Sequence, residues 1–151
     1  NTLWVSDVAN KSILHYDRQG NNLGDGFKVD LNSGAFGMAY DSSDSTLWLK
    51  EGGNMIWHYS TSGMKLGDGF NVLEIGCNDG RGLTYDPRDS SLWIVNASPN
   101  RMIHISRSGE KLPGSFYFDP SLGLPDGVAL DLKTFEFWIS DWGGISWRRR
   151  Y

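Results

Sequence analysis

The chain has 151 residues, 39% hydrophobic and 21% charged, with a formal net charge of −4. That is ordinary globular material, long enough to bury a core of its own. The acidic balance and the lack of a basic stripe argue against a nucleic-acid partner, and no run approaches 18 apolar residues, so no membrane-spanning helix is written here.

The chain opens with "NTLWVSD" at 1–7, in which Leu3 and Val5 alternate with Trp4. Period-two alternation rich in β-branched and aromatic residues predicts a strand. "ILHYDRQG" follows, ending at Gly20, and then "LGDGF" at 23–27. A complete unit comes next. "GMAYDSSDSTLWLK" at 37–50, "IWHYSTSG" ending at Gly63 and "LGDGF" at 66–70 predict four strands, at about 37–41, 46–50, 55–60 and 64–73. Within it Leu47 and Leu49 point one way and Trp48 the other, while Ile56 and His58 oppose Trp57 and Tyr59. The same phrases return as "GLTYDPRDSSLWIV" at 82–95, "IHISRSG" ending at Gly109 and "LPGSF" at 112–116. They start a last time as "GVALDLKTFEFWIS" at 127–140, closing with "ISWRRRY". The intervening Gly, Asn, Asp and Ser clusters are turn formers, and nineteen glycines suit many short turns better than helices.

The repetition has a fixed beat. The closing Trp stands at Trp4, Trp48, Trp93 and Trp138, in steps of 44, 45 and 45, and the leading Gly at Gly37, Gly82 and Gly127. A period near 45 with strand alternation predicts an all-β chain of four-stranded antiparallel β-propeller blades, with the four Trp as the structural core of the repeat. One domain, 1–151, is expected to hold repeats at about 1–31, 36–75, 81–118 and 126–151, which is three and a half to four blades with fourteen strands. Because the first strand is already under way at residue 3, a trimmed product or a segment of a longer chain is expected. An arc that does not close by itself exposes an apolar blade face at each end, so a homo-oligomer, or contact with further blades of a longer chain, is expected.

Residues Gly82, Leu83, Tyr85, Asp86, Leu92, Trp93, Ile94, Ile103 and Gly109 form a pattern that resembles the blade of NHL-type and senescence-marker/gluconolactonase six-bladed propellers. The resemblance covers essentially the whole chain and implies the propeller architecture. It also implies a site at the mouth of the central channel, formed by the loops that enter each innermost strand. Here those loops are "SGAFG" at 33–37, "CNDGRG" at 77–82 and "LPDG" at 124–127, which bring Asn78, Asp79 and Asp126 as candidate ligand-binding residues. In the lactonase family the Asp of a Pro-Asp-Gly loop is a metal ligand, and Asp126 is the matching residue. Carboxylate and amide oxygens suit a hard divalent cation such as Ca²⁺. The family's Glu near the start of the chain has no counterpart, and Asn78 matches its Asn-Gly loop loosely, being followed by Asp79.

Other motifs point to structure. His15, His58 and His104 occupy equivalent places in successive blades and therefore fan apart, whereas zinc needs its ligands at one point. Arg148 or Arg149 stands near this place in the last blade. Asp25 and Asp68 of the "LGDGF" pair offer one oxygen-bearing side chain per loop, which suits a bulge or hairpin better than a calcium loop. The lone Cys77 excludes an internal disulfide and is expected to be a buried thiol, with a bridge to another chain as the alternative. Two Asn-x-Ser triplets, at Asn10 and Asn96, hint at an extracellular or periplasmic location. The triple Arg at 148–150 reads as a solvated terminus.

With no G-x-S-x-G elbow, phosphate loop or dinucleotide fingerprint, the expected function is a non-enzymatic propeller module for self-assembly or protein and ligand binding. Metal-dependent lactonase-type hydrolysis at the channel mouth and carbohydrate binding or adhesion are the alternatives.

Overall fold

A computed structural model describes residues 2–30, 34–67, 69–118 and 123–142, together with the backbone of 146–150. Among the described residues fourteen strands form four antiparallel sheets, each in chain order. The first sheet holds β1 (Leu3–Asp7), β2 (Ser12–Tyr16) and β3 (Phe27–Lys28). The second holds β4 (Ala35–Asp41), β5 (Thr46–Glu51), β6 (Met55–Ser60) and β7 (Phe70–Asn71). The third holds β8 (Gly80–Asp86), β9 (Ser91–Ala97), β10 (Asn100–Ile105) and β11 (Phe116–Tyr117), and the last holds β12 (Pro125–Leu130), β13 (Glu136–Asp141) and β14 (Ser146–Arg150). This is the expected set of blades, three strands in the first, four in each of the next two and three in the last.

The outermost strands are shorter than their sequence suggests. Instead of a strand over 64–73, an isolated bridge joins Tyr59 to Lys65 and the two-residue β7 follows. Between them Gly67 and Gly69 take φ of 130° and 65°, a region open to glycine and closed to an extended run of L residues. A single 3-10 turn, Val72–Ile75, then leads out of the blade, capped by the Asn71 side chain, which accepts from the Leu73 N–H.

Register explains the repeated phrase. Trp4 pairs with His15, Trp48 with His58 and Trp93 with His104, and Arg148 takes the corresponding place opposite Trp138. The Asp at or just after the end of each first strand caps the tight turn that follows. Asp41 accepts from the Ser43 N–H at 3.0 Å, Asp86 from Arg88 at 3.0 Å and Asp131 from Lys133 at 2.8 Å. These turns end at Ser45, Ser90 and Phe135, each in the left-handed region with φ of 60°, 58° and 54°.

Blade packs on blade through the two faces of each second strand. Leu47 and Leu49 lie in one cluster with Ile13, Val29 and Tyr59, against which Trp4 and Phe27 pack. Trp48 and Ile56, on the opposite face, join Leu83, Tyr85, Leu92 and Ile94 of the third blade. Trp93 and Val95 in turn meet Phe137 and Ile139 of the fourth. Each Trp therefore points forward and each aliphatic pair backward. A blade between two others buries both faces, and this is why one copy of the phrase cannot stand alone.

The innermost strands β4, β8 and β12 are neighbours. They approach so closely that the leading Gly is required by space rather than by φ. A Cβ on Gly82 would lie 2.5 Å from the Asp126 carbonyl oxygen and 2.8 Å from the Val128 nitrogen, and Gly37 sits in the same way against the backbone of Arg81 and Leu83. Among the described residues no helix is long and apolar enough to cross a membrane.

Candidate functional site

The three histidines belong to the blades. Each imidazole stacks on its paired Trp, with centroids 3.8 to 4.0 Å apart and planes within 4°. One ring nitrogen meets a hydroxyl at the start of the second strand: His15 Nε2 to Thr2 at 2.7 Å, His58 to Thr46 at 2.6 Å and His104 to Ser91 at 2.6 Å. The other nitrogen of His15 meets the Asp25 carboxylate at 2.9 Å, and that of His104 the Pro113 carbonyl at 2.7 Å. Asp25 of the "LGDGF" loop thus orients a histidine, while Asp68 lies outside the described residues. Burial pushes the His58 pKa below its ordinary value, which keeps the ring neutral at pH 7. Among the described residues no group of three or more His, Cys, Asp or Glu side chains is placed to hold a metal ion.

Of the three residues expected at a site, Asp79 and Asp126 lie against one guanidinium, that of Arg81. Arg81 Nε and Nη2 donate to the Asp79 carboxylate at 3.3 and 3.2 Å, and Nη1 lies 3.5 Å from Asp126 Oδ1. The guanidinium therefore links the third blade to the fourth. The hydrogen bond to Asp79, and the charges of both carboxylates, raise the Arg81 pKa. Asp79 is itself fixed by its backbone, since its N–H donates to the buried Asn96 side chain at 2.9 Å and its carbonyl accepts from Ala97. Asn78 is exposed beside it and makes no contact with Arg81 or Asp126 among those described. Asp126 faces a cationic side chain, and among the described residues no group of three His, Cys, Asp or Glu side chains gathers around it.

Arg81 escaped the sequence reasoning, although the period could have found it. Arg81 and Asp126 stand 45 residues apart, and 45 residues before Arg81 stands Phe36. Each is the residue before the leading Gly, and at each place the register of the innermost strand shifts by one residue. The bulge turns one side chain per blade out of the blade-to-blade packing. Phe36 is 57% exposed, and the Arg81 and Asp126 side chains remain open to solvent. The loops that enter the innermost strands thus carry an aromatic, a cationic and an anionic group at equivalent positions.

Near Gly80 lies a buried polar group that the sequence did not announce. Lys50 is 1% exposed, and its ammonium donates to the Glu51 and Gly53 carbonyls, tying down the loop between β5 and β6. Burial lowers its pKa. Cys77 is fully buried nearby, both side chains crowding Gly80. Burial pushes its thiol up to about 11, so it stays protonated at neutral pH and is not placed to bridge to another chain. Asn96 is also fully buried, donating to the Pro99 carbonyl at 2.8 Å, and cannot carry a glycan in the folded chain, whereas Asn10 is exposed.

Among the described residues, large apolar side chains are exposed on the first and last blades. Leu3 and Val5, equivalent to the fully buried Leu47 and Leu49, are 60% and 36% exposed. At the far end Trp138, equivalent to Trp48 and Trp93, is 46% exposed.

No protein-family model matches the chain, and no curated protein sequence does. Solved structures do match its shape. Virginiamycin B lyase from Staphylococcus aureus superimposes with a TM-score of 0.62 at 20% identity, over 99% of this chain and 52% of that one. A chain of a nidogen–laminin complex gives 0.67 at 19%, over 93% and 52%. A gluconolactonase from Xanthomonas campestris gives 0.65 at 15%, over 100% and 54%. The chain spans about half the length of each. These neighbours include enzymes and a binding protein, so the likeness carries architecture and not activity. The chain has the blade fold of the six-bladed β-propellers.

Proposed function

We propose that this chain is an assembly module, a propeller segment whose working surfaces are its two uncovered blade faces, and that two copies close on each other. The observation that carries this is the contrast within one repeat: Leu3, Val5 and Trp138 are exposed at positions where every internal copy is buried. The two faces are complementary by construction. The far end presents a forward-pointing Trp, and the near end presents the aliphatic pair that receives such a Trp elsewhere in the arc. A forward face meeting a backward face is a head-to-tail contact, which closes into a ring when the rotation permits. Two copies together have about the length of one of the ring-forming chains that the fold resembles.

Light scattering across a dilution series tests this. A species of twice the chain mass is expected, and Leu3→Arg or Trp138→Arg is expected to raise the dimer dissociation constant more than ten-fold, since either places a charge in an apolar contact. A monomer at every concentration, or a dimer indifferent to both substitutions, overturns the proposal.

A further inference from the structure

The aspartates of the turn between β4 and β5 are held from outside their own blade. In the third blade Arg88, in the turn after β8, takes the Asp86 carboxylate. The equivalent place in the second blade is Ser43, whose hydroxyl and N–H donate to Asp41 Oδ1 at 2.6 and 3.0 Å. The guanidinium comes instead from Arg107, in the turn between β10 and β11 of the third blade. Its Nε lies 3.2 Å from the fully buried Asp41, and its Nη2 donates to Asp44.

This contact closes a circuit with His58. The Thr46 hydroxyl donates to Asp44 Oδ1 at 2.5 Å and meets His58 Nε2 at 2.6 Å. A hydroxyl has one hydrogen, so the neutral imidazole donates from Nε2 and keeps Nδ1 as its basic atom. The Trp48 ring completes the circuit. It stacks on His58 with centroids 4.0 Å apart, its indole donates to Asp41 at 3.2 Å, and it lies 5.8 Å from the Arg107 guanidinium. Beside these groups is a cavity of about 320 Å³, lined by Trp48, His58, Phe70, Arg107 and Ser108 among others. Burial depresses the His58 pKa; the Asp44 charge opposes this, the Arg107 charge adds to it, and the Asp41 charge opposes it again.

We infer that this circuit is an acid-sensitive latch between the second and third blades, in which a proton taken up by His58 displaces Arg107 from Asp44. Imidazolium and guanidinium then compete for one carboxylate, the first through Thr46 and the second directly. The imidazole is held by its stack on Trp48, whereas Arg107 stands on a turn with its side chain 35% exposed, so Arg107 is the partner that leaves for water. Losing a neighbouring cation raises the affinity of His58 for its proton, and by reciprocity the proton weakens the Arg107 contact by the same factor. The latch is therefore closed above about pH 6.5, the ordinary His value, and loosens as pH falls from there through the depressed one. Asp41 stays ionised across this window. Burial opposes its charge, but hydrogen bonds from Ser43 and Trp48 and the charge of Arg107 hold its carboxyl below the ordinary value. The latch goes beyond the assembly proposal, since it governs a contact inside one chain.

The test is an NMR titration of the 151-residue chain from pH 7.5 to 5. It follows the His58 imidazole together with amide exchange, corrected for the intrinsic pH dependence of exchange. The Gly109 N–H closes the Arg107 turn on the Ser106 carbonyl at 3.1 Å. Its protection is expected to fall as His58 takes its proton. The fall should be about ten-fold for each unit by which the His58 pKa is higher in Arg107→Met than in the parent chain. The Gly63 N–H closes the equivalent turn of the second blade, where Thr61 stands in the place of Arg107, and should keep its protection. A His58→Phe chain keeps an aromatic ring against Trp48 and has no proton to gain, so it should show no loss at Gly109. Equal His58 pKa values in the parent and Arg107→Met chains, unchanged protection of Gly109, an equal loss at Gly63, or the same loss in His58→Phe overturns the inference. If His58→Phe does not fold, the Arg107→Met comparison and the contrast between Gly109 and Gly63 decide the matter.

Discussion

Replacing Gly82 by Ala probes the closeness of the inner strands directly. The added Cβ would meet the Asp126 carbonyl oxygen at 2.5 Å, the Val128 nitrogen at 2.8 Å and the Gly127 Cα at 2.9 Å. Ordinary contact begins near 3.4 Å, so β8 and β12 must part by roughly 1 Å, and every atom in the way is backbone that no rotamer change can move. Overpacking of this kind costs about 1–3 kcal/mol, here near the upper end. Against it stands a gain of about 0.4–1 kcal/mol, because Ala restricts the unfolded chain and Gly82 does not need a positive φ. The net expectation is a loss of about 2 kcal/mol. With a urea slope of about 2 kcal/mol per molar, the unfolding midpoint falls by about 1 M at unchanged slope. Gly53→Ala is the matched control, since a Cβ there meets nothing within 4 Å. It should leave the midpoint unchanged or raise it slightly. If Gly82→Ala moves the midpoint no further than Gly53→Ala, the inner strands are not packed as described.

Three further outcomes are expected. Asp86 is opposed by burial, yet hydrogen bonds and charge from Arg88, with help from Trp93, hold its pKa below the ordinary carboxylate value. Its stabilisation is therefore complete above about pH 4 and lost as pH falls through the depressed folded value, and Arg88→Met should move acid unfolding to higher pH while costing about 1–3 kcal/mol at neutrality. Lys50 has a folded pKa below the unfolded 10.5, so the unfolded chain binds more protons between the two values. Stability relative to Lys50→Met should rise as pH increases through that window, which urea unfolding at a series of alkaline pH values measures. The Cys77 thiol, buried and pushed up to about 11, should resist alkylation at pH 8 in the native chain and react at once in urea, followed by intact mass.

Much of the fold was legible because the signals that encode it are local and repeated. Trp48 between Leu47 and Leu49 declares a strand packed on both faces, and the beat of 44 or 45 residues says that the unit recurs. The extent of the outer strands was not legible, because it turns on φ at Gly67 and Gly69, which a sequence permits without requiring. In the loops entering the innermost strands, Asp79 and Asp126 were found, but the residue joining them was not. Arg81 reads as one more surface charge until the bulge before Gly82 aims it across the blade boundary. Lys50 was missed for a converse reason. Its neighbours in sequence make it the polar end of a strand, and only the fold of the following loop supplies the two carbonyls that let an ammonium be buried.

The bulges before Gly37, Gly82 and Gly127 separate two tasks that most folds entangle. The glycine and the alternating strand behind it answer to packing and tolerate little change. The residue in front, Phe36, Arg81 or Asp126, is held at a repeated geometry outside the apolar packing, and its contacts with neighbouring blades are those of a side chain at the surface, as between Arg81 and Asp126. An arc built this way works like a type case. Each blade sets one character at an equivalent position before its leading Gly, so the chemistry of this edge varies blade by blade while the packing behind it repeats.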